Sequence, residues 1–464
     1  MAANARQISP QEAASVASEF FNSKGLLTRA GDEAVRVTDK ENTSDSQPFY
    51  VYNSGNGNGF VIISGDDRYA KILGYSDRGS FDFKKMPPQL RALLENFAEN
   101  SAKSSTWKVT HPSWNASSFQ TRASNEVLLQ TANWGQNAPY NADCPNMGEQ
   151  NAPTGCVATA MAIVMKYHNW PETYNWDAMP MEINTENPTP NPELARLMKD
   201  AGEAVFMAYG PTESGANMNW VGHRMQQVFH YSPECQFITK QNFTADKWLD
   251  LIKTNIDNDN PVIYQGTNED YSMNHAFVLD GYNSVGYHIN WGWDGWYNGY
   301  YALDSLSPND YQDFSCNNGL VINIIPDKSG KEYSECFTDY GYFWSANGIG
   351  TAMNLSVENL KKEEPFHLIN NLITLPAGFE GMVGLALVDK DDNIKEVISS
   401  VNQSTYSSTD GKYLDMGSSA NFLDVKVTVD VDPTDRLQLV TKSLQDNDYK
   451  LVLVTLEWPS SVAV

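Results

Sequence analysis

The stretch from Gly155 to His168 admits few structural readings. Ala158, Met161, Ile163, Val164 and Met165 put apolar surface on nearly every side of a helix, so this helix belongs inside a core. Asn151-Ala152-Pro153-Thr154-Gly155 before it is turn chemistry, and Pro171 stops it. Cys156 therefore falls in the first helical turn. A thiol there faces unpaired backbone N–H groups and the positive end of the helix dipole, and both favour thiolate. The ordinary fate of a lone cysteine is to be a small core residue. The rest of the chain has to decide between the two.

At 464 residues the chain has room for several domains, and a 41% hydrophobic, 12% aromatic composition is that of a folded protein. A formal net charge of −25 argues against nucleic-acid binding, which needs basic patches. No run approaches the length of a membrane span. The cysteines Cys144, Cys156, Cys235, Cys316 and Cys336 are too sparse for a disulfide scaffold and include no CxxC pair for structural zinc. No metal or cofactor is expected. Met1-Ala2-Ala3-Asn4 shows neither the charged nor the apolar region of a signal peptide.

The periodicity predicts three units. The first, 1–122, opens with a helix over Ile8–Leu27, with Ser9 and Pro10 as N-cap and first position. A hairpin of Phe49–Tyr52 and Gly59–Ser64 follows, then a strand over Ala70–Tyr75 and a helix over Pro88–Asn100. Ser101–Ser124 reads as an exposed, cleavable linker, most accessible around Arg122–Asn125. The second unit, 123–326, holds the Cys156 helix and helices near Pro192–Ala204, Met218–Phe229 and Ala245–Thr254. Strands over Pro261–Gly266, His275–Tyr282, Gly286–Trp291 and Gly299–Leu303 complete it. A helical half followed by a strand half is an α+β domain with a cleft between the halves. The third unit, 327–464, reads as a β-sandwich, with strands near His367–Thr374, Gly384–Val388, Val425–Val431 and Tyr449–Glu457.

The second unit holds a set of residues suited to cleaving a peptide bond. Cysteine catalysis needs a thiolate, a proton-exchanging histidine, a group to orient that histidine and donors for the oxyanion. Cys156 is the candidate nucleophile. His275 opens a strand after the Thr267–Asn274 loop, where a histidine can face a cleft; His288, mid-strand, reads as packed. Asn290 is placed to accept the imidazole N–H, with Trp291 or Trp293 shielding that bond. Gln136 can donate its amide to the oxyanion beside the Cys156 backbone N–H.

These segments, in this order, resemble the streptopain family of papain-like cysteine peptidases. The resemblance is carried by Gln136–Asn141, Thr154–Ala160, Met165–His168 and Tyr209–Pro211 in the helical half. In the strand half it is carried by Pro261–Gly266, His275–Gly281, Asn290–Trp293 and Gly299–Tyr301. It implies Cys156 as nucleophile, His275 as general base and acid, Asn290 as orienting residue and Gln136 for the oxyanion. It also implies that the first unit is an inhibitory pro-domain acting within the chain, that the enzyme is a secreted or cell-surface zymogen, and that its substrates are proteins or peptides. The family's Gly-rich loop is replaced here by Thr267–Asn274, and the C-terminal β unit is additional to the minimal pattern. Competing readings are another Cys–His acyltransferase or amidase on the same fold, and a catalytically inactive surface adhesin.

Overall fold

The computed structural model describes residues 6–27, 33–38, 47–103, 111–115, 126–183, 188–240, 243–267, 274–303, 318–329, 334, 337–338, 342–345, 348–351, 355–356, 360–373, 375, 379–404 and 418–454. They form two compact units, residues 1–221 with 238–324, and residues 222–237 with 325–464.

The first unit begins with helix α1 (Pro10–Lys24), capped as its sequence demands: the Ser9 hydroxyl accepts from the Glu12 N–H at 3.2 Å, and Gly25 ends the helix in the left-handed region. Strands β1 (Ala34–Val37), β2 (Phe49–Ser54), β3 (Phe60–Ser64) and β4 (Ile72–Ser76) and helix α2 (Pro88–Lys103) follow. Ala13, Val16, Ala17, Phe20 and Phe21 of α1 bury themselves against Tyr50, Tyr52, Val61 and Ile63 of the strands. The rest of the unit comprises β5 (Val127–Leu128), α3 (Cys156–His168), α4 (Pro192–Ala204), the short pair β6 (Ala208–Tyr209) and β7 (Ser214–Gly215), α5 (Asn219–Gln227), β8 (Gln236–Thr239), α6 (Ala245–Asp257), β9 (Val262–Thr267), β10 (Asn274–Tyr282), β11 (Tyr287–Asn290), β12 (Gly299–Tyr301) and β13 (Gly319–Ile322). Helix α5 and strand β8 run across the division between the units. As the sequence predicts, α3 is apolar all round: every residue from Val157 to Met165 is buried.

The N-terminal sheet continues into the rest of the unit, which the sequence pattern did not foresee. The strand order is β1-β2-β3-β4-β12-β11-β10-β9-β13, antiparallel at each step. At the β4–β12 seam Tyr75 pairs with Tyr300 and Gly74 with Tyr301. A Cβ on Gly74 would lie 2.4 Å from the Tyr301 ring, so glycine is what lets the strands close. The Tyr75 and Tyr300 rings stack with centroids 5.4 Å apart, and Tyr300 is part of the N-terminal core.

The linker expectation falls partly outside the described residues, as do its Arg122–Asn125 portion and most of the Thr267–Asn274 loop. Residues 101–103 of the expected linker instead continue helix α2, and its other described piece, 111–115, is pinned: Trp114 Nε1 donates to Tyr69 O at 2.9 Å, and His111 N to Asp67 O at 2.7 Å.

In the second unit, strands 366–373 and 418–425 belong to one sheet, and strands 380–388, 394–404 and 436–443 to another. Ile373 and Phe422 of the first sheet share a core with Val383, Leu385, Leu437 and Leu439 of the second, the arrangement of a sandwich. The expected strand over Val425–Val431 is displaced, since the observed strand Ser418–Val425 ends where it was to begin.

Candidate active site

Gly155 sits at φ +84, and a Cβ there would lie 2.7 Å from Met207 Sδ and 2.9 Å from Ser214 O. Only glycine fits both the backbone and the space. Thr154 and Thr159 lock the first turn through a 2.7 Å hydroxyl pair, and Thr159 Oγ1 also donates to Gly155 O at 2.9 Å. Cys156 is therefore delivered at a fixed point on a rigid helix. Its Sγ accepts from the backbone N–H of Ala276 at 3.4 Å. That contact joins the helical half to the strand half one residue beyond His275.

The thiol does not carry the depressed pKa that its place in the helix suggests. Burial pushes it above the ordinary cysteine value, and the N–H groups of Ala276, Val157 and Cys156 only partly offset this. His275, half-buried, is pushed below the usual histidine range by burial, with partial opposition from the negative charge of Glu213. Both shifts favour a neutral thiol and a neutral imidazole. Among the described residues the His275 ring makes no hydrogen bond.

Gln136 lies at the mouth of the same helix. Its backbone carbonyl accepts from Thr154 N at 2.9 Å, while its half-buried side chain has no hydrogen-bond partner among the described residues. Gly135 beside it packs on Asp294, whose carboxylate would lie 2.6 Å from a Cβ.

Asn290 is buried, but with partners other than the one expected. Its Nδ2 donates to Thr131 Oγ1 and to Ala132 O, both at 2.9 Å, and its Oδ1 accepts from Gly292 N at 3.1 Å. No hydrogen bond joins it to His275 in this structure. The two tryptophans separate. Trp291 is core, against Phe277 and Tyr301, with Nε1 donating to Tyr297 O at 3.0 Å. Trp293 faces the N-terminal region, donating to Gln89 Oε1 on α2 at 2.9 Å. Helix α2 itself packs against β9 and β10, the strand that carries His275. Tyr297 adds a second tie, exchanging hydrogen bonds with the Asp82 backbone.

Residues 134–301 match the Peptidase C10 family, and residues 5–101 match the Spi protease inhibitor family. Streptopain of Streptococcus pyogenes is 32% identical over 305 residues, covering 56% of this chain and 75% of streptopain. The chain belongs to the streptopain family.

This is a family of thiol proteases, and this member carries the family's inhibitor propeptide ahead of the peptidase region. A second relative, the thiol protease/hemagglutinin PrtT of Porphyromonas gingivalis, is 28% identical over 379 residues, 72% of this chain; the chain spans only 43% of PrtT. Among solved structures, a fragment of Prevotella intermedia prointerpain A superposes with a TM-score of 0.53 at 26% identity, covering 64% of this chain and all of the fragment.

Two features of this streptopain-family site escaped the sequence reading. The first is a buried polar chain behind Asn290: Thr131 Oγ1 donates to Asp280 Oδ2 at 2.5 Å, and Asp280 Oδ1 meets His288 Nδ1 at 2.5 Å. A signal existed. Asp280 interrupts an apolar strand, and a charge buried there needs partners. Because a carboxylate only accepts, the Thr131 proton goes to Asp280, and Thr131 Oγ1 must then accept from Asn290 Nδ2. This fixes which way the Asn290 amide points. The second feature is that Tyr209–Pro211, singled out as a motif, opens the β6–β7 hairpin, whose two-residue strands are too short to show any periodicity and which leans on Gly155 through Ser214.

Proposed function

We propose that this chain is a cysteine endopeptidase made as a zymogen, whose own first region keeps it latent. Cys156 attacks the peptide carbonyl. His275 takes the thiol proton and returns it to the leaving amine, and water then releases the acyl group. The Gln136 amide and the Cys156 backbone N–H stabilise the oxyanion. Asn290 orients the imidazole once the pro-domain has left, using the lone pair of Oδ1 that Gly292 does not occupy.

The observation that carries this reading is the Ala276 N–H resting on Cys156 Sγ, which brings the only thiol at a buried helix start among the described residues beside the residue that follows His275. Latency is supported by α2 lying against β9 and β10, by the Gln89–Trp293 hydrogen bond and by the continuous β4–β12 seam. The pro-domain is taken as residues 1–122, the peptidase as 123–326 and the β unit as 327–464, the last serving anchoring or substrate recruitment. The reading includes export to the periplasm, the cell surface or beyond. No helix among the described residues is long and apolar enough to cross a membrane.

The test uses Cys156→Ala. A thiol and a methyl are close in size, so the variant folds, with a cost on the order of 1 kcal/mol. It should cleave neither casein nor small peptides, should stay full length alone, and should be cut between residues 115 and 125 by a trace of wild-type enzyme. Hydrolysis surviving in the variant would sink the assignment. Immediate activity from uncut wild-type chain would remove the pro-domain role.

A further inference from the structure

The hairpin formed by β6 and β7 has no role in the chemistry above, yet it is built against Gly155, the residue that precedes Cys156. Ala208 pairs with Gly215 and Tyr209 with Ser214. Ser214 O abuts Gly155, the residue before Cys156. At the tip, Pro211 O accepts from Gln150 Nε2 at 3.0 Å, and Gly210 N donates to Ser214 Oγ at 3.4 Å. A Cβ on Gly210 would lie 2.6 Å from Glu213 O, so the turn is tight. Glu213 is thus held on a fixed backbone one residue from the contact with Gly155. Its side chain is exposed, and among the described residues its carboxylate has no hydrogen-bond or ion-pair partner. It nevertheless lies close enough for its charge to act on His275.

We propose that Glu213 is a specificity-determining residue that selects substrates with a lysine or arginine side chain close to the scissile bond. An exposed carboxylate held one residue from the contact with Gly155, and so close to the start of the Cys156 helix, with no partner among the described residues, offers an incoming cation an ion pair with little to displace. A bound peptide also excludes water from around the pair, which strengthens it. An acidic side chain at the same point meets repulsion, so selection works in both directions. The net charge of −25 does not dilute the effect, because screening limits an exposed charge to about 8 Å at physiological salt and only a carboxylate close to the reacting thiol discriminates locally.

The proposal rests on the Cys156–His275 reading. The test measures kcat/KM of the activated full-chain enzyme on peptide sets carrying Lys, Gln or Glu at each position from three before to two after the cut. Active enzyme is counted with an irreversible thiol-directed inhibitor. At one position wild type should prefer Lys to Gln by about two- to fivefold, the range expected of a solvent-accessible ion pair, and should disfavour Glu. Glu213→Gln should bring the Lys-to-Gln ratio at that position to about one, and Glu213→Lys should invert the preference toward Glu. A ratio that stays the same in Glu213→Gln while all rates move together would overturn the proposal and leave Glu213 acting only through His275. If no peptide is cut and no inhibitor is taken up by wild type, the catalytic reading itself fails, and the proposal with it.

Discussion

The two halves of the candidate site are held very differently. Cys156 stands on a helix start fixed by a positive-φ glycine, a threonine pair and the Gln136–Thr154 backbone bond, and its sulfur has an N–H donor. His275 stands at the entry of β10 with no hydrogen bond to its ring among the described residues, on a strand against which the pro-domain helix α2 packs. The cysteine half is fixed by several hydrogen bonds, whereas among the described residues none holds the His275 ring. An enzyme can be kept latent most cheaply by leaving the nucleophile in place and withholding the base. Burial raises the Cys156 thiol and lowers His275, and both directions favour the neutral forms that the proposed latent state requires.

If that contrast is right, the histidine half is where substitutions separate chemistry from architecture. His275→Ala should lower kcat of the activated enzyme by about a thousandfold or more, since it removes the proposed base. His288→Ala should leave most of the turnover but lower the unfolding free energy by about 1–3 kcal/mol, because it strips a partner from the buried Asp280. Steady-state kinetics and thermal unfolding of both variants check this, and the reverse ranking would mean the wrong base has been chosen. On the cysteine half, Gln136→Ala should slow kcat by roughly a hundredfold with a much smaller change in KM, as for removal of one oxyanion donor. An unchanged kcat would make Gln136 an ordinary loop residue. The smallest effect belongs to the contact between pro-domain and peptidase. Gln89→Ala removes the hydrogen bond to Trp293, worth about 0.5–1.5 kcal/mol, and should shorten the activation lag several-fold without changing the final rate. A time course with an unaltered lag would show that this hydrogen bond does not contribute to latency.

How much of this could be read from the chain follows the same division. The Cys156 helix was legible because unbroken apolar character, a glycine before it and a proline after it are local signals, and α1 was legible from Ser9 and Pro10 for the same reason. The choice of Gln136, Cys156 and His275 as candidates rests on their ordered motifs, and the structure adds backbone contacts beside each: Gln136 O with Thr154 N, and Cys156 Sγ with Ala276 N. What stayed hidden was set by tertiary pairing. No local pattern says that β4 will pair with β12, that Trp291 turns into the core while Trp293 turns toward Gln89, or that Asn290 spends its amide on Thr131 and Ala132. Alternation along β11 gives the face of Asn290 but not its partner, because hydrogen-bond partners distant in sequence depend on register across several strands.

The most direct test of withheld base and waiting nucleophile is the pH dependence of Cys156 alkylation by iodoacetamide. Full-length and processed chains are separated by size after labelling, and Cys156 is quantified by mass spectrometry. A raised thiol pKa means less thiolate at neutral pH, so in the full-length chain labelling should be slow at pH 7 and rise only above the ordinary cysteine range. In the processed chain His275 can accept the proton, and labelling should persist well into the acid range, falling only as the ion pair is protonated. Superimposable pH profiles for the two forms would contradict the account.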